Sequence, residues 1–262
     1  MDTDDLKRAS RQAGDHPALE TAARVGFAVS GLMHLLIGWI ALQLALGSPR
    51  SGAADQSGAL SALAANGLGR FLLWVAVVGF AGLALWQVTE AVTGSSETTD
   101  RIKAVAKAVV YAALAVTALT FARGGSSSST KQTTDFTASL LAQPLGVALV
   151  AAVALGVIGV GVYHVVKGWR KKFLRDLREH PGAGIVRAGQ VGYAAKGAAL
   201  VVVGLLFGLA AVRRDPTRAT GLDGALNSLL TVPFGKVLLV LVAMGLAAYG
   251  VYSFARAKAA AV

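Results

Sequence analysis

Val25–Gly31 reads VGFAVSG and Val191–Gly197 reads VGYAAKG, and the likeness runs on well past these seven-residue stretches. At the same offset, without a gap, Gly38, Gly58-Ala59-Leu60, Leu63, Gly69, Leu72-Leu73 and Gly79 fall on Gly204, Gly224-Ala225-Leu226, Leu229, Gly235, Leu238-Leu239 and Gly245. Each stretch holds two apolar runs joined by a polar loop. A degenerate copy lies between them, with Ala106 and Tyr111 where Gly26 and Gly31 stand, and with a shorter loop. Its second half matches better, Gly146, Gly156 and Tyr163 falling on Gly235, Gly245 and Tyr252. The chain is one helical hairpin written three times.

Each half-hairpin is long enough to cross a bilayer. Val25–Leu46, Phe71–Val92, Val105–Ala122, Leu145–Val166, Val191–Val212 and Val237–Phe254 are almost free of charge. About 20 apolar residues at 1.5 Å rise span the hydrocarbon core. Composition agrees, with 55% hydrophobic and 15% charged residues and a mean hydropathy of +0.60. A soluble domain carries about 25% charged residues.

A net charge of +11 would point to nucleic acid in a soluble protein. Here its placement explains it, and no nucleic-acid partner is implied. Lys7, Arg8, Arg11, Arg24, Arg101, Lys103, Lys107, Lys167, Arg170, Lys171, Lys172, Arg175, Arg178, Arg187, Arg256 and Lys258 fall on one side of the spans. Only Arg50, Arg70, Arg123, Lys131, Arg213, Arg214, Arg218 and Lys236 fall on the other. Sixteen against eight puts both termini in the cytoplasm by the positive-inside tendency. The cluster Lys167–Arg178 has two readings: a topology signal, or a surface for anionic lipid head groups or a membrane protein partner.

The absence of cysteine excludes disulfides, thiolate metal sites and cysteine nucleophiles. MDTDDLKRAS is acidic before it is basic, and no small-residue cleavage site follows the first apolar run, which reads as a retained helix. HExxH, Walker A, GxSxG and GxGxxG contexts are missing. No catalytic, metal or cofactor set emerges, and the chain does not read as an enzyme.

The organisation expected is a polar cytoplasmic tail over 1–22, repeats over 23–92, 103–167 and 187–257, and a basic cytoplasmic loop over 168–186. Within each hairpin loop a polar stretch precedes a short amphipathic turn, such as Gly58–Leu63 or Gly224–Leu229, and Gly67, Pro144 or Pro233 ends it. Such a segment either rests on the membrane surface or forms a lid over a cavity. Every repeat leaves from and returns to the same side, so the three are parallel in topology. The fold class is all-α, an integral-membrane six-helix bundle with a pseudo-threefold axis along the membrane normal. Gly31 and Gly38, Gly79 and Gly82, Gly156 and Gly159, and the GxxxG pair Gly204 and Gly208 are expected at helix contacts.

The triplication, the VG[FY]A-x-x-G stretches at Val25–Gly31 and Val191–Gly197, and G-x-x-L-L at Gly69–Leu73 and Gly235–Leu239 resemble a bacterial membrane family. That family is known as domain of unknown function 1206, and the resemblance covers nearly the whole chain from about residue 20. It implies a six-helix membrane protein and brings no activity and no functional residues; the location expected is the bacterial inner membrane.

Ionisable groups at bilayer depth are the remaining candidates. His34 is the deepest and shares a four-residue stripe with Gly26, Ser30 and Gly38. It reads either as a neutral hydrogen-bonding residue or as part of a proton or solute pathway. Lys196 stands where Ser30 stands in the first copy, and either snorkels to the interface or meets a partner such as Glu90 or an anionic solute. Trp86-Gln87, Tyr163-His164 and Tyr252-Ser253 align across the copies, followed three residues later by Glu90, Lys167 and Arg256. The aromatics read as an interface belt, and the three charges as a gate or as flanking charges that hold the hairpins in register. A haem between His34 and His164 is disfavoured, because the two differ in depth by roughly 10 Å at the helical rise. An accessory or scaffold role is slightly preferred, with a small transporter or channel along the axis as the alternative.

Overall fold

A membrane helix satisfies its backbone internally, so the apolar runs extend until loop chemistry stops them. In the computed structural model, which describes residues 17–49, 52–93, 98–178 and 181–259, six long helices result. They are α1 (Pro17–Leu46), α3 (Gly67–Thr93), α4 (Thr98–Ala122), α6 (Gly146–Trp169), α7 (Ala183–Arg213) and α9 (Gly235–Ala259). All six are long and apolar enough to cross a membrane. Three short helices sit at the hairpin tips: α2 (Gln56–Ala64), α5 (Ser129–Leu141) and α8 (Gly221–Leu229). Brief 3-10 turns occupy Lys172–Asp176 and Pro216–Arg218.

The helices run beyond the apolar stretches because charged ends continue the same backbone ladder in the interface. Pro17 opens α1, its fixed φ and missing N–H suiting the first helical position. The expected polar tail is therefore helical from Pro17 onward, while Lys7, Arg8 and Arg11 lie outside the described residues, as does Arg50. The expected basic loop shrinks from both ends, because α6 continues to Trp169 and α7 begins at Ala183. Trp39, Leu85, Val109, Leu155, Leu205 and Leu241, one from each long helix, are 54–71% exposed. Surfaces of that kind suit lipid rather than water.

The repeated glycine in the first turn of the second helix of each hairpin has a single cause. A Cβ at Gly69, Gly146 or Gly235 would strike the carbonyl oxygen of Leu63, Leu140 or Leu229 respectively. These three leucines are themselves equivalent positions. The chain folds back so sharply after each tip helix that only a residue without a side chain fits.

The described chain forms two compact units. The first holds the start of α1 up to Ser30, the chain from Leu63 to Ser126 with α3 and α4, and the end of α9 from Ser253. Here α3 lies along α4, Gly26 meets Gly79 backbone to backbone, and Gly82 meets Ala22. Phe27, Leu73, Ala76, Phe80 and Leu83 are buried among them.

The second unit holds Gly31–Ala62 and Ser127–Tyr252. Its α6 lies along α7, and its α9 packs on the second half of α1, where Gly38 meets Ala243 and Ala247, and Gly250 meets Gly31 and Leu35. Gly192 of α7 meets the Tyr249 backbone of α9. The glycine expectations hold at Gly31, Gly38, Gly79, Gly82 and Gly204 but fail on α6. Gly156 and Gly159 face open space, whereas Gly161 abuts the Gly197 carbonyl. Gly208 makes only ordinary contact with Ala154. A helix apolar on every side gives no sequence signal for which side turns inward.

Candidate functional site

The tip helices of all three repeats interlock in the second unit. Asp55 precedes α2, and its Oδ1 accepts from Ser57 Oγ (2.7 Å) and from the Gly58 N–H (3.0 Å), an N-cap arrangement. Ser57 Oγ in turn accepts from the Ser129 N–H at the start of α5 (3.2 Å). The Ala54 N–H donates to Asp223 Oδ1 of α8 (2.7 Å), and Thr134 Oγ1 of α5 donates to the Ala219 carbonyl (3.4 Å). Three tips meeting in one layer require three hairpins that point the same way. Leu60, Leu226, Ala59 and Ala225 are almost fully buried beneath this layer. The tip helices thus cover protein, where a foot resting on lipid was one of the two expectations.

Under this roof lies a cavity of about 180 Å³, lined by His34 and Ile37 of α1, Gln56 of α2, Lys196, Ala199, Leu200 and Val203 of α7, Leu222 of α8, and Leu246 of α9. Along α7 the lining climbs from Lys196 to Val203, about 10 Å at the helical rise. Lys196 and His34 mark the floor, and Gln56 and Leu222 the roof. Tyr249 sits beneath both basic residues. The His34 ring is 4.6 Å from its ring, and Lys196 Nζ lies 4.3 Å from the same centroid. Lys196 stands near the middle of α7, because α7 starts at Ala183 and not at the first apolar residue.

Below Tyr249 the aromatics continue toward the α6–α7 connection. Tyr249 meets Tyr193 edge-on (5.1 Å), and Tyr193 stacks on Phe173 (5.4 Å, 18°). Tyr252 meets Phe173 edge-on (5.1 Å) and donates its hydroxyl to the Phe173 carbonyl (3.1 Å). Phe173 is fully buried despite its basic neighbours, and Gly189 leaves the space its ring occupies. Lys167 holds the same turn by an ion pair to Asp176 (2.7 Å) and lies over Tyr193. Phe173, Tyr193 and Tyr249 were not singled out in the sequence. The available signal was one phenylalanine inside the charged run Arg170–Arg178.

The other candidates are distributed as follows. His164 Nδ1 is 2.8 Å from the Val160 carbonyl, one turn back on α6. In the first unit Ser30 is half-buried and Gln87 is buried. Exposed Glu90 joins Trp86, Gln87, Asp100, Lys103, Ala104 and Lys107 around a hollow of about 240 Å³ between α3 and α4. Arg256 lies 4.2 Å from the Phe27 ring, and Arg24 Nη1 donates to the Lys258 carbonyl near the end of α9 (2.8 Å). Glu90, Lys167 and Arg256 each have local neighbours of this kind. The belt reading fits Tyr163, which is half exposed, but not Tyr252, which is fully buried.

Hairpins of one direction, lipid-type outer faces and a polar floor at membrane depth define a multi-pass integral membrane protein built from internal repeats. The family model described as Domain of Unknown Function (DUF1206) matches three times, at residues 25–94, 102–171 and 191–260. The chain belongs to that family. It is also 30% identical over 249 residues to a Bacillus subtilis (strain 168) protein described as Uncharacterized protein YxxB, covering 90% of each chain. No solved structure matches it.

Proposed function

We propose that this protein is a small-solute carrier of the bacterial cytoplasmic membrane, with both termini in the cytoplasm and its solute held in the chamber of the second unit. The observation that carries the reading is the shared cavity of His34 and Lys196. Lys196 lies on a membrane-spanning helix, where a charged side chain is costly and rare. A protein that only holds partners together has no use for that cost, whereas a solute site does.

The short elements supply the moving parts. The six long helices run unbroken, so access from one side requires the α2, α5 and α8 roof to part. Access from the other requires Phe173 to leave its place against Tyr193 and Tyr252. Alternating these two openings gives transport without chemistry on the solute. The orientation rests on the sixteen basic residues of one side against eight of the other.

The test is uptake into proteoliposomes of labelled benzoate, benzamide, benzylamine and inorganic phosphate. Native protein is expected to admit at least one probe above protein-free vesicles. Ala199→Phe, which fills the chamber, is expected to abolish that uptake while its thermal melt stays close to native. Uptake that survives the filled chamber, or no uptake of any probe, overturns the carrier reading in favour of an accessory role.

A further inference from the structure

Resting on the chamber reading above, we infer that the ligand is a small organic monoanion, a carboxylate on an apolar body the size of benzene, with its charge against Lys196.

The walls fix the class by what they offer. Six of the nine lining residues are apolar, and the polar ones are His34, Gln56 and Lys196. No carboxylate lines the chamber, and none among the described residues lies within ion-pair distance of Lys196. The Tyr249 ring face is its neighbour, and a ring quadrupole compensates only part of a desolvated charge. A cationic ligand is repelled here, and a neutral one leaves the ammonium unpaired.

Inorganic anions fit poorly. Phosphate requires several donors on every side, and this chamber places its donors at the floor and a single amide at the roof. Between them Ile37, Leu200, Val203 and Leu246 offer only hydrocarbon. An apolar protein cavity of about 150 Å³ takes up benzene. The chamber, at about 180 Å³, leaves room for that body and one carboxylate. The acid group sits on Lys196 with His34 beside it, and the ring rises toward Gln56.

The experiment is calorimetric binding of benzoate, benzamide and benzylamine to the full chain in nanodiscs, native and with Lys196→Met or Lys196→Arg. Native protein is expected to bind benzoate about thirtyfold or more tightly than benzamide, the loss typical of removing one member of a desolvated charge pair. Lys196→Met should bring benzoate down to the benzamide level while benzamide binding stays. Lys196→Arg should restore part of the difference, which separates charge from folding. Equal binding of benzoate and benzamide, a preference for benzylamine, absence of saturable benzoate binding, or full benzoate affinity in Lys196→Met each overturns the inference. Benzoate binding without flux sinks the carrier reading alone, and flux of the amide or amine in preference sinks the ligand class alone.

Discussion

Replacing Gly197 by alanine is expected to destabilise the second unit, although the same change within about a turn and a half of the contact on the partner helix stabilises it. A Cβ built on Gly197 would lie 2.5 Å from the Gly161 carbonyl oxygen, and one on Gly161 would lie 2.7 Å from the Gly197 carbonyl oxygen. Real Cβ atoms do not approach below 3.0 Å, so α6 and α7 must separate along their shared seam. Overpacking of this kind costs about 1–3 kcal/mol. Alanine returns about 0.8–1 kcal/mol through its better helix propensity, leaving a net loss of up to about 2 kcal/mol. Gly156 and Gly159 have nothing within 4 Å of the corresponding position. Alanine there gains the propensity without the clash, so each variant should be more stable by up to about 1 kcal/mol. Thermal or SDS unfolding of the three variants in one detergent gives the comparison. Gly197→Ala as stable as Gly156→Ala would refute the packing argument, whatever the absolute values.

Phe173→Ala should cost about 3–5 kcal/mol, the range for emptying a buried aromatic site. A melt unchanged from native would show that the 172–176 turn is not seated against Tyr193 and Tyr252. At Asp215 the Thr217 hydroxyl holds the carboxyl below the ordinary aspartate range; desolvation opposes it, and the Thr217 N–H and Arg218 add to the lowering. Its folded value is depressed, so its contribution to the Pro216–Arg218 turn is complete above the unfolded value and fades as pH falls through the lower folded one. Thr217→Val should move the Asp215 titration midpoint upward in an NMR experiment, and an unmoved midpoint would discard the hydroxyl as the cause.

Much of the architecture was legible because membrane spans are read from length and charge, which are local properties. Gly69, Gly146 and Gly235 recur at matched positions, and the structure supplies their reason in the leucine carbonyls they touch. His34 and Lys196 stood out by depth alone. Their meeting in one chamber did not, because Lys196 matches Ser30 in the repeat and nothing in the pattern sets the two helices' rotation. Tyr252 was misread as an interface residue for the same reason: a belt tyrosine and a buried one look identical near a helix end. Phe173 was hidden by the charges around it.

By itself the sequence determined six spans, their grouping into three hairpins and the shared direction of those hairpins. Hydrocarbon thickness and the excess of basic residues on one side act on each segment separately. Only the tertiary structure decided that Gly161 and not Gly156 forms the seam, that the tips close over a chamber, and that Phe173 packs beneath its floor. Those outcomes depend on how each helix is turned about its own axis. In helices apolar all round, close packing sets that angle, and no one-dimensional pattern records it.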